Sequence, residues 1–509
     1  MKKANNIKLF LASLLLLAVT SCSLDEYPHT EVNGSEVYST TAGCNSALAK
    51  VYASYVIVGQ AKEGLSDFST NNGYDLMRGY INMQEMPTDE MAPTWLEGDQ
   101  QAGLGYMQWN ADDSWVSDVY YRLYYTIALA NDFIANTASK EDQTIKQYVS
   151  EARFLRALAY YMVLDLYGKG PFVDENSGIG SYHPDVYTNA QLFAYIESEL
   201  KAVATALPAK SAVEYGRASS GAAYALLAKL YLNAEVYGAG NHYADCVTAC
   251  DNVLTQGYTL EQDYQKLFNA DNHKRTNEII FSLNIDATNT VSWGATTYLV
   301  CGAIGNSNNQ NAADYGATGG WGNFRTRGEF TSLFNEGDKR ALFWKDDSQQ
   351  FFNGNSIDDQ NYGWFGCKYT NLTDTGESAS NTADGGACTD YPMLRLADVI
   401  LMKAEAMLRS GSAADAVLPL LQQLCDRAFD DRTLLASEVN LQYILDERAR
   451  ELWWECTRRT DLVRYGMFTT NKYLWEWKGG AAAGTAVSST MNTYPIPAAE
   501  QSANYKLKD

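Results

Sequence analysis

The chain has 509 residues, of which 46% are hydrophobic, and it carries a formal net charge of −22. This length supplies a large core and leaves room for more than one domain. A chain so acidic is a poor match for phosphate backbones, which argues against nucleic acid as a partner. Tyrosine is abundant, with 35 residues beside 11 Trp and 17 Phe, and this excess suits a core as well as a surface that stacks on flat ligands.

Residues 1–21 have the form of a secretory leader, with three early lysines followed by an apolar stretch. The leader ends in Val-Thr-Ser-Cys, which resembles a bacterial lipobox, so cleavage before Cys22 would leave this cysteine to carry lipid. The alternative is an ordinary secretory signal with a chance cysteine. The next residues, Ser-Leu-Asp-Glu, resemble the surface-export signal of Bacteroidetes lipoproteins.

Residues 22–40 are polar and are predicted to form a lipidated tether. No later stretch approaches the roughly 20 apolar residues that span a bilayer. We therefore expect the mature protein to be anchored to a membrane and not to cross it.

Helices are predicted over residues 42–55 and 116–136. The segment between them, residues 60–115, combines prolines and glycines with aromatic residues of the kind found at surfaces. This composition indicates an ordered loop region with functional content.

Residues 151–173 are predicted to form a core helix with a sharp exit. Apolar residues recur there at three- and four-residue steps, and a second apolar row runs beside the first. The sequence Gly-Lys-Gly-Pro at residues 168–171 then ends the helix, because proline disfavours helical geometry in the residue before it.

A helix–break–helix unit occurs twice, at residues 217–254 and again at residues 396–427. This unit is typical of tetratricopeptide-type folds, although the spacing of small residues matches only in part. Residues 275–395 are instead rich in Gly, Asn, Thr and Asp. The sequence therefore predicts an all-α fold of degenerate tetratricopeptide-like repeats with a long, irregular, loop-rich insertion. We expect one domain over residues 41–509.

Several motifs in order resemble the SusD/RagB family of glycan-binding lipoproteins on the surface of Bacteroidetes. The first is R-F-L-R-A-x-A-Y-Y with L-Y-G-x-x-P in the core helix. The others lie in the C-terminal part: L-R-L-A-D-V from residue 394, E-R-x-R-E-L from residue 447, R-R-x-D-L-V-R from residue 458 and P-I-P from residue 495. Arg459 departs from the family pattern, which commonly has tryptophan there.

The resemblance implies a function for the whole mature chain. It implies non-catalytic capture of extracellular oligosaccharide or polysaccharide, with starch or another α-glucan as the first expectation. It also implies delivery to a SusC-like TonB-dependent transporter from a lipid anchor on the outer face of the outer membrane. The alternatives are another glycan, such as fructan, host glycan or hemicellulose, and a RagB-like peptide-capturing or purely structural lid subunit.

A sugar site needs aromatic platforms for the apolar C–H faces of the rings and polar side chains for the hydroxyls. Two regions offer both, and for any one tryptophan burial in the core is about as common as ligand contact. The arrangement is similar to the aromatic arc of starch-binding SusD-like proteins. The predicted substrate-binding residues are Asp75, Arg78 and Trp95 in the first region and Trp293, Tyr298, Trp321, Asn323 and Arg325 in the second.

A glycosidase is the alternative to this binding function. Glu447, Glu451 and Glu455 lie one helical turn apart, but many arginines lie nearby in the sequence. Any two of these carboxylates would then both stay ionised, whereas a glycosidase needs one with a raised pKa. The sequence therefore predicts a salt-bridge network that joins helices, and it shows neither a nucleophile motif nor a phosphate loop.

No cofactor is expected. The four histidines lack metal-ligand spacing. The pairs Asp271-Asn272 and Asp358-Asp359 carry oxygen ligands that suit calcium, but neither belongs to a defined loop with six to eight oxygens. Cys246 and Cys250 are predicted to be buried free thiols. A Cys367–Cys388 disulfide is compatible with an exported protein.

Overall fold

The computed structural model describes residues 34–59, 67, 71–177, 183–305, 310–345, 356–359 and 361–507. The predicted leader, the lipid-bearing Cys22 and the tether as far as residue 33 lie outside the described residues and stay predictions. Within these ranges the chain is mostly helical with a few short strands, which confirms the all-α prediction.

Sixteen α-helices are described, and they are numbered here in chain order. They are α1 Gly34–Val37, α2 Thr41–Ala53, α3 Leu76–Glu85, α4 Ala102–Gly105, α5 Ser114–Thr137, α6 Gln143–Tyr167, α7 Asn189–Ala206, α8 Ser220–Leu232, α9 Tyr243–Leu254, α10 Ala295–Gly302, α11 Gly328–Thr331, α12 Leu396–Arg409, α13 Ala414–Ala428, α14 Leu441–Leu452, α15 Arg458–Arg464 and α16 Ala498–Ala503.

Short 3₁₀ turns connect some of these helices in the described ranges. They are Lys210–Ala212, Tyr264–Phe268, Asn272–Lys274, Ala312–Tyr315, Thr382–Asp384, Ala436–Glu438, Lys478–Gly480, Ser489–Asn492 and Tyr505–Leu507.

The core helix α6 begins earlier than its apolar pattern predicts. Asp142 caps it, because the carboxylate accepts a hydrogen bond from the amide of Ile145 at 3.0 Å, and the first two turns are partly exposed. The helix ends at Tyr167 as expected, since Gly168 adopts a left-handed conformation with φ of 72°. After its first two turns, α6 is buried almost continuously to its end.

The helices pack in series. Helix α5 contacts α6, α6 contacts α7, and the contacts continue through α8, α9, α12 and α13. The later helix pair therefore packs directly on the earlier one through α9 and α12, which is how stacked helical repeats bury a continuous core. Buried apolar side chains from helices and insertion alike form one cluster.

The insertion is closed at its base by a two-stranded antiparallel sheet. Strand β4 (Ile279–Leu283) pairs with β8 (Tyr391–Arg395), and both strands are fully buried. Three other two-residue antiparallel pairs are described: β1 (Ala92–Pro93) with β5 (Phe324–Arg325), β2 (Gly170–Pro171) with β3 (Val186–Tyr187), and β6 (Phe343–Trp344) with β7 (Phe365–Gly366). The insertion thus leaves and rejoins the helical frame at one place.

The predicted salt-bridge network around the three glutamates is confirmed, although most of its partners come from elsewhere in the chain. Glu451 pairs with three buried arginines: with Arg395 at 2.5 Å, with Arg340 at 3.1 Å and with Arg427. Among the arginines near these glutamates in sequence, Arg450 alone contacts one, pairing with Glu447 at 2.8 Å. The sequence cannot show this, because Arg340 and Arg395 lie in the insertion.

The cysteines of the described residues are all free. Cys246 and Cys250 are buried thiols, as predicted. Cys367 and Cys388 are also free, so the structure does not contain the disulfide considered from sequence. No helix among these residues is long and apolar enough to cross a membrane.

We predict that Glu451→Gln lowers the free energy of unfolding by about 3–5 kcal/mol, because it leaves buried guanidinium groups without a full counter-charge. Chemical denaturation measures this loss. Glu438→Gln is the matched control, since Glu438 pairs with Arg432 at 3.2 Å on the surface and should cost less than about 1 kcal/mol. Equal losses in the two variants would contradict a structural role for the buried network.

A second prediction concerns two buried carboxyls beneath the insertion, Glu85 and Glu90. Burial raises the pKa of both side chains, and the Glu85 charge raises that of Glu90 further. The unfolded chain gives up these protons near pH 4.3 whereas the folded chain holds them to higher pH. The stability contributed by the protonated pair is therefore present at acid pH and is lost as the pH rises.

Glu85→Gln removes one of the two titrating carboxyl groups and keeps the shape of the side chain. We expect its unfolding free energy, relative to the parent, to rise by at least about 1 kcal/mol between pH 5.5 and pH 8.5. Melting curves across this range measure the change. Glu97→Gln, at an exposed position, should show no such trend, and a pH-independent difference for Glu85→Gln would contradict the raised pKa.

Candidate functional site

Asp75 joins the two predicted site regions. It caps helix α3, because its carboxylate accepts a hydrogen bond from the amide of Arg78 at 2.9 Å. The same carboxylate accepts a hydrogen bond from the hydroxyl of Ser292, 217 residues away. Burial raises the pKa of Asp75. Asp75 therefore fixes the loop before α3 against the loop that carries Trp293.

Arg78 lies between two aromatic rings and is buried. Its guanidinium carbon is 3.5 Å from the ring centroid of Tyr74 and 4.2 Å from that of Tyr298. One terminal nitrogen donates to the backbone carbonyl of Trp293 at 2.8 Å, and the other pairs with Asp99. These contacts use both the planar face and the donors of the side chain, so Arg78 positions the backbone at Trp293.

Asn323 is the second centre of this buried network. Its side-chain oxygen accepts hydrogen bonds from Tyr298 at 2.9 Å and from Gln101 at 3.0 Å, and its amide nitrogen donates to Asp99 at 3.3 Å. Trp115 donates to the backbone carbonyl of Asp99 at 2.8 Å. The polar groups of the network thus bind each other, which rigidifies the segments that carry them.

Arg325 lies on strand β5, and its side chain binds the backbone of neighbouring loops. Its side chain donates to the carbonyl of Ile357 at 2.5 Å, to that of Ala92 at 3.4 Å and to that of Tyr362. Burial first, and then the nearby Arg327, lower the pKa of Arg325 to about 10. Arg325 therefore remains a cation at neutral pH and connects β5 to the loops around it.

Three of the eight predicted residues reach the surface, and all three are tryptophans. The side chain of Trp293 is 41% exposed, whereas Trp321 and Trp95 are half-buried. The ring centroids of Trp293 and Trp321 lie 6.0 Å apart with a 58° angle between the rings. The hydroxyl of Thr94 donates to the carbonyl of Gly322, and its backbone amide donates to the carbonyl of Asn323. The Trp95 loop is therefore bound to the Trp321 loop.

The structure therefore brings both predicted regions into one place. It also separates the eight residues into two groups. The tryptophans form a surface, which we call the tryptophan platform: Trp95, Trp293 and Trp321. The other five side chains are buried beneath or beside it and present no surface for a sugar ring to lie on: Asp75, Arg78, Tyr298, Asn323 and Arg325.

Sequence reasoning missed five members of the buried network. They are Trp115, on helix α5, and four loop residues: Tyr74, Asp99, Gln101 and Ser292. Tyr74 stands in the Asn-Asn-Gly-Tyr-Asp run beside Asp75, so an aromatic next to a predicted polar contact was the available signal. The other three stand in loops with no distinguishing pattern. Among the described residues, no group of three or more His, Cys, Asp or Glu side chains could hold a metal ion.

Comparison with known proteins identifies the family of this chain. A family model described as "SusD family" matches residues 348–509, and one described as "Starch-binding associating with outer membrane" matches residues 45–232. The chain is 31% identical to the starch-binding protein SusD of Bacteroides thetaiotaomicron over 98% of both sequences. The chain belongs to the SusD family. Like these binding proteins, it is not an enzyme.

Other relatives and solved structures are also similar to this chain, and the solved structures share its fold. SusD-like protein P25 of Formosa agariphila is 25% identical over 91% of this chain and 90% of its own. Surface glycan-binding protein A of B. thetaiotaomicron, solved with laminarihexaose, has a TM-score of 0.70 at 18% identity and covers 91% of this chain and 98% of its own. The corresponding protein of Bacteroides fluxus has a TM-score of 0.69 at 20% identity, with 91% and 97% covered.

We predict that Gly294→Ala disturbs the site from below. A Cβ at this position would lie 1.8 Å from a carboxylate oxygen of Asp75, so the cap of α3 must shift. We expect a loss of about 1–3 kcal/mol in unfolding free energy. Gly319→Ala is the matched control, since its Cβ would meet open space. Equal melting temperatures for the two variants would contradict a fixed Asp75.

Proposed function

We propose that the tryptophan platform captures extracellular glycan and that the protein delivers it to a SusC-like TonB-dependent transporter. The observation that supports this most directly is the pair of accessible, mutually tilted indole rings over a rigid polar network. Aromatic faces pack on the apolar faces of sugar rings, and a preorganised platform loses little entropy on binding. Starch or another α-glucan is the first ligand to test, because the curated relative with 31% identity is named for starch.

The buried residues serve this function by positioning. Arg78 holds the backbone of Trp293, while Asp75 and Asn323 hold the loops on either side of the platform. We propose that these residues set the distance and tilt of the rings and that the tryptophans make the contact. Affinity per ring should be modest, since an open and wet site yields little net free energy.

We propose the same cellular location that the family resemblance implies. The protein would be lipidated at Cys22 and would face the cell exterior on the outer membrane. The family description that mentions the outer membrane supports this association. An anchored glycan binder beside a transporter keeps captured chains at the channel entrance, because tethering raises the local concentration of the ligand.

Native affinity electrophoresis of residues 23–509 tests the ligand and the site together. Gels contain amylopectin, laminarin, levan, xyloglucan or mucin glycans. We expect retardation in amylopectin, and we expect Trp293→Ala/Trp321→Ala to lose most of it with little change in melting temperature, because stacking surface is removed while the buried network stays. A loss of about tenfold or more in affinity corresponds to about 1.4 kcal/mol or more.

Leu435→Ala is the control for this experiment, since Leu435 is 59% exposed in the segment between α13 and α14, outside the insertion. Retardation in a gel that contains a different glycan would support glycan capture and would replace starch as the proposed ligand. Retardation of the double variant as strong as that of the parent would contradict the site. Absence of retardation in every gel would contradict glycan capture and favour the RagB-like alternative, capture of peptide.

A further inference from the structure

A cavity of about 430 Å³ lies outside the site described above. Helix α5 lines it with tyrosines at positions 120, 121 and 124, and the C-terminal helix α16 and the residue that follows it line it with Glu500, Ala503 and Asn504. We call it the tyrosine cleft. Its volume is in the range that holds small ligands, and it shares no residue with the tryptophan platform or the buried network beneath it.

The aromatic wall of the tyrosine cleft is fixed in place. The ring centroids of Tyr120 and Tyr124 lie 4.6 Å apart, and the Tyr121 ring is nearly perpendicular to that of Tyr120 at 5.6 Å. Tyr124 donates its hydroxyl to the carbonyl of Pro171 at 2.9 Å. Tyr120 is fully buried and supports the half-buried rings of Tyr121 and Tyr124, which line the cleft. These two rings need no reordering when a ligand enters.

Polar groups stand at the rim of this wall. Burial and the Glu500 carboxylate raise the pKa of Tyr121 to about 12, so this side chain keeps its hydroxyl proton at physiological pH. Asn504 is held by its bond to the carbonyl of Pro184 at 3.2 Å. Tyr505, which is 62% exposed, packs edge-on to His183 with a centroid distance of 5.2 Å. The cleft thus combines stacking rings with a carboxylate acceptor and a hydroxyl donor.

Two ligand classes match the lining of the cleft, a neutral saccharide and a cation. Tyrosines with a glutamate can bind a quaternary ammonium. The ammonium of Lys506 beside the cleft donates to the carbonyl of His183 at 3.0 Å and to Asp185 at 2.6 Å, so the Asp185 carboxylate balances its charge. A neutral ligand with apolar faces and hydroxyl groups fits both the rings and the rim.

We propose that the tyrosine cleft is a second saccharide site, which takes one or two rings of a neutral glycan. Helix α5 connects it to the buried network beneath the tryptophan platform. Trp115, near the start of α5, stacks on Tyr74 at 5.7 Å, and Tyr121 follows about 9 Å further along the helix axis. Two sites joined through one rigid network would bind a long polysaccharide more tightly than a short oligosaccharide.

Saturation-transfer NMR on the mature chain tests this site apart from the platform. The Trp293→Ala/Trp321→Ala variant serves as background, with maltotriose, laminaritriose and kestose as neutral probes and tetramethylammonium as a cationic one. We expect at least one neutral probe to keep its signal in this background. Adding Ala503→Trp should lower that signal at least fivefold, because an indole at this exposed helix end fills the cleft.

Ser502→Trp is the matched control, since the neighbouring residue is exposed on the same helix and does not line the cleft. It should leave the signal within twofold. Loss of every neutral probe in the background variant, or equal effects of the two tryptophan substitutions, would overturn the proposal. A signal from tetramethylammonium alone would overturn the saccharide assignment. Failure of the platform itself is distinguished by the gels, because the double variant is then retarded as strongly as the parent, whereas binding at the cleft alone leaves a weaker retardation.

Discussion

The structure depends on a buried network of ions centred on Glu451. This carboxylate contacts guanidinium groups from three different parts of the chain: Arg340 and Arg395 from the insertion, and Arg427 from α13. Each ion loses its hydration on folding, so the network is favourable only while the counter-charges and hydrogen bonds are complete. The insertion therefore cannot separate from the C-terminal helices without exposing unpaired charge, and the loops that it carries share the rigidity of the helical frame.

Buried cations also hold loops together without any carboxylate. Arg327 donates to backbone carbonyls at Met86, Met91, Gly105 and Glu476, and so joins the segment around residues 86–105 to one near the C-terminus. A guanidinium has five donors in one plane, so it can satisfy several carbonyls that no strand or helix satisfies. In the insertion, where regular structure is sparse, such arginines replace the backbone ladders that normally order a chain.

Periodicity predicted several helices of the frame, but it predicted neither α7 nor the shape of the site. The predicted ranges 243–254 and 396–409 coincide with α9 and α12, because their apolar faces repeat over several turns and glycines mark the breaks. Helix α6 begins eight residues before its predicted start, since its first two turns are partly exposed and carry a polar face. Helix α10 was not predicted at all, because all its residues are buried and its pattern has no polar face.

Residue chemistry selected residues that the fold brings together, yet it could not assign their burial. Tyr298 and Trp293 are both aromatic residues in a Gly- and Thr-rich stretch, but one is fully buried and the other is 41% exposed. The difference arises from contacts over 200 residues apart, such as Asp75 with Ser292. Asp99 and Gln101 could not be found from sequence, because only the fold places them beside Arg78 and Asn323.

The manner in which Arg78 holds residue 293 has an evolutionary consequence. The guanidinium binds the backbone carbonyl there and leaves the indole itself unconstrained by that bond. The location at which a ring is presented is therefore encoded separately from the identity of the ring. A lineage can exchange this tryptophan for another aromatic residue, or for a small one, without rebuilding the supporting loops. A scaffold with this separation can change its exposed aromatic surface by single substitutions while its architecture persists.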